Sequence, residues 1–135
     1  MFETLSFRTT ASQETVNLDE QVRAVVAASG VAEGVCHIYC PHSTAGLTIN
    51  SALDSKTSQD ILFEMNRLVP TRVDFFHTFD TPTDAAAHVK STLTGVHVTC
   101  LIHEGRLMLG SSQSILFAEF DGPRNRQVYV KVVEG

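Results

Sequence analysis

Between residues 2 and 10 apolar and polar positions alternate, with Leu5 and Phe7 on one side of an extended chain and Thr4, Ser6 and Arg8 on the other, which predicts a first strand. Asn17 and Glu20 have the spacing of a capping box, Val22, Val25 and Val26 form an apolar stripe, and Gly30 stands where a helix ends, so a helix is predicted from Asn17 to Gly30. Cys36, Ile38 and Cys40 then alternate with His37 and Tyr39, as in a half-buried strand. Pro41 has no N–H to give a ladder. The strand therefore ends or bulges there, leaving His42, Ser43 and Thr44 at its end before Gly46 reopens a strand through Leu47, Thr48 and Ile49.

Asp54 to Ser58 supplies polar caps for a second helix, in which Ile61, Leu62, Met65, Leu68 and Val69 recur at helical spacing until Pro70. Residues 71–83 have no clean period and carry turn residues, which predicts a loop that covers something. Asp84 caps a short helix closed by Gly95; its run Ala85 to Ala87 suits close approach to a neighbouring backbone, and His88 and Ser91 share a face. From Val96 onward, GVHVTCLI, GRLMLG, SILFAEF and RQVYVKVV read as an antiparallel meander. The pattern predicts a single compact α+β domain over residues 1–135, with mostly antiparallel, sandwich-like sheets and two or three helices covering one face.

Composition narrows the function classes. A chain of 135 residues with 43% hydrophobic content buries one core but not two. Ten Lys and Arg against 15 Asp and Glu, a net charge of −5 without charge runs, leaves no electrostatic footprint for nucleic acid. No stretch approaches the ~20 apolar residues of a spanning helix, and the N-terminal residues show no export leader, so no membrane partner and a cytoplasmic location are expected. Three cysteines, an odd number, read as thiols. Cys36 and Cys40 are no zinc pair, because four positions along a strand span about 13 Å. Cys100 reads likewise.

Four clusters at element ends carry candidate chemistry: His42 to Thr44, Asn50 with Asp54, Asp84 with His88 and Ser91, and Glu119 to Arg124. His37, His77, His97 and His103 read as ordinary surface or core histidines. His42 and His88 lie beside a hydroxyl, a carboxylate or a helix start, where imidazole serves as base, anion donor or metal ligand. In FDGPR, Asp121, Gly122 and Pro123 make a turn, with Arg124 either solvated or placed to hold phosphate or carboxylate. Glu119 falls in a strand that reads as buried, so its charge needs a cation, an arginine or a metal.

The order CPHSTAGLTIN, then Asp54 and Asp60, AAAHVKSTLTG, GRLMLG with Gln113, and FAEFDGPRNR resembles the YjbQ-like family, also called secondary thiamine-phosphate synthases, from about residue 34 to 133. The resemblance implies a homotrimer with a polar pocket near the subunit boundary. Carried over by position, that pocket takes His42, Thr44, Asn50, Asp54, His88, Lys90, Ser91, Glu119 and Arg124. The implied reaction joins a pyrimidine diphosphate to a thiazole phosphate and needs a clamp for the leaving diphosphate. His42, His88, Asp54 and Glu119 are the expected catalytic residues, and Thr44, Asn50, Lys90, Ser91 and Arg124 the substrate-binding ones. A divalent ion, Mg²⁺ or Zn²⁺, is expected on His42, His88 and Glu119.

The chain departs from the family pattern at Ser51, Ala52, Asp84 and Ser112, and it has no tryptophan. Dedicated synthases of this kind are TIM barrels of about 250 residues, so a secondary activity on a small phosphorylated metabolite is the reading for this shorter chain. The alternative is a trimeric module that binds a phosphometabolite or metal without turning it over.

Overall fold

Alternation along the first residues becomes β1 (Phe2–Arg8), and the chain continues through β2 (Glu14–Asn17), α1 (Asp19–Ser29), β3 (Gly34–Tyr39) and β4 (Ala45–Asn50). Then follow α2 (Ser55–Leu68), α3 (Pro82–Thr94), β5 (His97–His103), β6 (Arg106–Leu107), β7 (Ser114–Glu119) and β8 (Asn125–Glu134). The computed structural model describes every residue from Met1 to Gly135. The strands form two antiparallel sheets, a larger one in the order β1-β8-β3-β5-β6 and a smaller one in the order β2-β7-β4. The architecture is the expected α+β domain. No helix is long and apolar enough to cross a membrane.

The main core lies between the sheets. Cys36 and Ile38 of β3, Cys100 and Ile102 of β5, and Val128, Val130 and Val132 of β8 meet Leu47 of β4 and Ile115 and Phe117 of β7, while Val22, Val25 and Val26 of α1 close the same cluster. The other face of the small sheet is covered by α2 and α3, where Ala118 and Phe120 pack with Ala87, Leu62 and Met65. Ala85, Ala86 and Ala87 are all buried, so α3 lies close to β4. The approach is tightest at Gly46, where a Cβ would stand 2.6 Å from the Gly95 carbonyl oxygen.

Three expectations need correction. The last four strands are not a meander, because β7 leaves the large sheet to pair with β2 and β4, and β8 returns between β1 and β3. Every residue from Ile115 to Phe120 is buried, and a strand apolar on both faces needs cover on both, which the centre of the small sheet provides. Asn17 ends β2 rather than capping α1. Its Oδ1 accepts the Asp19 N–H at 2.8 Å, and Leu18 occupies the cap position with its own N–H on the Ile115 carbonyl. Asp84 does not cap α3 either: Thr81 does, accepting the Asp84 N–H at 3.1 Å, with Pro82 just inside the helix. That shift of three residues places Asp84 in the first turn, with its carboxylate free for other partners.

Candidate functional site

Three connections converge at one end of the molecule. Pro41 to Thr44 carries the chain from β3 to β4, the turn at Asp121 to Arg124 carries it from β7 back to β8, and the loop before α3 delivers His77 and Asp80 to the first turn of that helix. They enclose an open hollow of about 370 Å³ whose lining is entirely polar apart from Pro41. Such crossings between sheets leave strand-end side chains pointing at one another, which is how rigid scaffolds assemble sites.

On one wall, His77 Nε2 lies 3.0 Å and His88 Nε2 3.2 Å from the same oxygen, Asp84 Oδ2. Asp84 and His88 are one helical turn apart, and His77 reaches in from the loop with its ring edge-on to His88 at 5.1 Å between centroids. The three ligand atoms lie within 4.8 Å of one another, with Asp84 buried and both rings part-exposed. Two imidazoles and one carboxylate are a donor set that could hold a metal ion of the Zn²⁺ type. Burial pushes the Asp84 carboxyl upward, but hydrogen bonds to Asp121 and His77 and the nearby histidines outweigh it and hold the pKa below the usual aspartate range. Asp121 goes the other way, raised by burial and by Asp84 despite the guanidinium of Arg124. The two carboxyls are thus pushed apart, Asp84 toward its charged form and Asp121 toward its neutral one.

Facing this wall is Arg124, whose Nε donates to the Asp121 carbonyl at 2.7 Å and whose Nη2 donates to Asp121 Oδ2 at 2.8 Å. His42 lines the hollow too, but its Nε2 accepts the Gln127 N–H at 2.9 Å, so the ring proton sits on Nδ1. Burial, followed by the charge of Arg126, lowers its pKa and keeps the ring neutral.

Of the nine residues proposed from sequence, the hollow gathers His42, Thr44, His88 and Arg124. Thr44 is buried, and its Oγ1 accepts from Arg126 Nη2 at 2.9 Å. The other five do not line it. Asp54 caps α2, accepting the Lys56 N–H at 2.9 Å, and Asn50 is turned onto the Ser51 N–H at the exposed end of β4. Ser91 is buried against the Ala45 carbonyl at 2.6 Å, and Lys90 is buried between helices with Asn66 Oδ1 as its partner. Glu119 has found the arginine rather than a metal: Arg126 spans both its oxygens, and Thr9 Oγ1 and the Asp121 N–H complete the set. The trio His42, His88 and Glu119 is therefore replaced by His77, Asp84 and His88, since Glu119 has no oxygen free of these donors and His42 has already committed Nε2.

From sequence, His77 reads as an ordinary histidine and Asp121 as a turn residue, and Asp80 and Arg126 are not singled out. His77 was legible only through its loop: a Thr-Pro helix start four residues on makes the preceding segment fold over the first turn. Asp80 shares that segment, while Arg126 and Asp121 follow from the need of a buried Glu119 for partners nearby.

A sequence profile of the UPF0047 YjbQ-like proteins matches residues 3–135, and the chain belongs to that family. It is 38% identical to UPF0047 protein MJ1081 of Methanocaldococcus jannaschii over 93% of this chain and 89% of that one. It is 37% identical to UPF0047 protein YugU of Bacillus subtilis over 98% and 99%. Among solved structures, a YjbQ/UPF0047 protein of Clostridium acetobutylicum superposes with a TM-score of 0.92 at 36% identity, covering 97% of this chain and 99% of that one. A YjbQ-like protein of Sulfolobus solfataricus superposes with 0.94 at 29% identity, covering 100% and 97%. The family fixes the fold and names no activity.

Proposed function

We propose that this UPF0047 YjbQ-like chain is a metal-dependent enzyme acting on a small phosphorylated metabolite in the hollow beside α3. The observation that carries the reading is the convergence of His77 and His88 on one oxygen of buried Asp84, across from Arg124. Two imidazoles with one carboxylate suit Zn²⁺ better than Mg²⁺, which prefers an all-oxygen shell. A bound divalent ion supplies charge stabilisation at a phosphoryl oxygen. The chain's own residues do the rest. Arg124 keeps Nη1 free of intramolecular partners and so can receive an anionic oxygen, with the Ser43 segment forming the wall beside it. Asp121 and Asp84 are pushed in opposite directions, Asp121 up and Asp84 down, which is the pattern of an acid and its counterpart.

The family resemblance suggests thiamine-phosphate formation, in which a pyrimidine–CH₂–diphosphate carbon–oxygen bond breaks and the thiazole nitrogen takes that carbon. A clamp for the leaving diphosphate is what the hollow offers. Its lining offers no aromatic wall for the rings, but Phe76 and Phe79 flank His77 on the same loop and are fully exposed. A homotrimer, also implied by the resemblance, is proposed as the assembly that covers these side chains. The test is diphosphate release and thiamine-phosphate formation by wild-type protein supplied with Zn²⁺ or Mg²⁺, compared with Asp84→Asn and His88→Ala. Metal-dependent turnover lost in both variants supports the reading.

A second reading is a binding module without turnover. It is favoured by the engagement of His42 Nε2 and of both Glu119 oxygens, which removes two groups otherwise suited to proton transfer. Metal-dependent phosphate binding without product formation would select it.

A further inference from the structure

His37 on β3 and His97 on β5 lie on the face of the large sheet turned away from the core, and neither lines the hollow. The register pairs His37 with Thr99 and Tyr39 with His97, so the two histidines are diagonal neighbours across the strand pair. Their rings are nearly stacked, 5.6 Å apart and 26° from parallel, and His97 Nε2 is 3.4 Å from His37 Nδ1. Thr99 Oγ1 completes a triangle, 3.1 Å from His37 Nδ1 and 3.0 Å from His97 Nε2.

Those edges have a chemical meaning. At Zn–N bonds of about 2.0–2.1 Å and a tetrahedral angle, two ligand nitrogens stand about 3.4 Å apart. The Thr99 hydroxyl accepts from one ring and donates to the other, satisfying both nitrogens with neutral rings. A cation seated on the nitrogen–nitrogen edge displaces these hydrogen bonds: the ring that donated to Thr99 carries its proton on its other nitrogen instead, and each facing nitrogen then offers a lone pair. Lys131 stands opposite His37 on β8, so the site disfavours hard, purely electrostatic cations and suits an ion that bonds to imidazole and brings an anion or water as further ligands.

We infer that His37 and His97 form a second, surface site for a divalent transition ion of the Zn²⁺, Cu²⁺ and Ni²⁺ class, separate from the hollow beside α3. Strand pairing holds both rings in place before the ion arrives. The inference does not depend on the proposed function.

Calorimetric titration of untagged protein with Zn²⁺ tests it, using wild type, His88→Ala and the double variant His37→Ala/His97→Ala, with thermal melts to verify folding. Both variants change part-exposed side chains. Loss of one Zn²⁺ per chain in His37→Ala/His97→Ala, with that same ion retained in His88→Ala, is the expected result. If His88→Ala removes all binding, or if His37→Ala/His97→Ala binds as wild type does, the surface site is overturned. A wild type that binds one ion, kept by His88→Ala and lost by the double variant, supports the surface site while rejecting the metal in the hollow.

Discussion

Glu119 at the end of β7 and Arg126 at the start of β8 form an ion pair with 0% and 4% of their side chains exposed. The guanidinium reaches on to the Thr44 hydroxyl, so one pair ties together the ends of two strands and the β3–β4 connection that forms the floor of the hollow. Burial would raise the Glu119 pKa, but Arg126, Thr9 and the Asp121 N–H together lower it. Breaking the pair by Glu119→Ala strands a buried charge and should destabilise the fold by about 3–5 kcal/mol in a denaturant titration. The double change Glu119→Met/Arg126→Met should recover a large part of that loss. Glu119→Gln, if folded, should leave Zn²⁺ affinity unchanged, since Glu119 is here a structural partner.

His42 sets an upper stage of the acid limb of stability, and the carboxylates with lowered pKa values, Glu119, Asp84 and Glu33, set a lower one. His42 has a lowered folded pKa, so the unfolded chain binds its proton first, at about 6.5, and the fold loses stability as pH falls from there to the folded value. Glu119 is also lowered, and its contribution, present above an unfolded value of about 4.3, is lost as pH falls through the folded one. Melting temperatures should therefore decline in two stages on acidification. His42→Asn should flatten the first stage and leave the second.

How far the sequence foretold this structure is visible in single residues. Alternation and caps located most of the elements, because Gly30, Asp54 and Gly95 end or begin helices by local geometry alone. The small sheet was not legible. Its strand β2 is four residues long, too short to show a period, and β7, apolar on both sides, looks the same to a pattern whether it sits in one sheet or the other. Half the site was legible for the same reason: Thr44, His42 and Arg124 stand at strand ends that periodicity marks, and His88 lies one helical turn from Asp84 on α3. His77 sits in a segment without period, and Asp84 was misassigned by the three residues that separate a cap from a first turn. Asn50, Asp54, Lys90, Ser91 and Glu119 are polar for structural reasons, which one dimension cannot tell from functional ones.

The cysteines should be inert. Burial, reinforced by Cys100 directly across the strand pair, pushes the Cys36 thiol up to about 12, and burial raises Cys40 and Cys100 as well. Only thiolates react readily, so folded protein should show almost no labelling by a disulfide reagent at pH 8, with all three thiols appearing on denaturation.

Self-association should follow from the apolar surface left by α2 and the loop after it. Phe63, Leu68, Val73, Phe76 and Phe79 are all at least 66% exposed, far more than isolated surface apolars explain. Light scattering at micromolar concentration should give the mass of a trimer. Phe76→Asp with Phe79→Asp should shift it toward the monomer, and a wild-type monomer would remove the proposed assembly.

One ion at His77, Asp84 and His88 is the central expectation, and calorimetric Zn²⁺ titration in a His37→Ala/His97→Ala background measures it without interference from the surface histidines. Ligands of one ion act as a unit, so His77→Ala, Asp84→Asn and His88→Ala should each abolish or strongly weaken binding, and any pair should add little to the worst single change. Imidazole must be neutral to ligate, so the affinity should fall from pH 8 to pH 5.5, and inorganic phosphate should bind more tightly with the ion present than without it. Unchanged Zn²⁺ binding in all three variants, or phosphate binding that ignores both the ion and Arg124→Ala, would contradict the account.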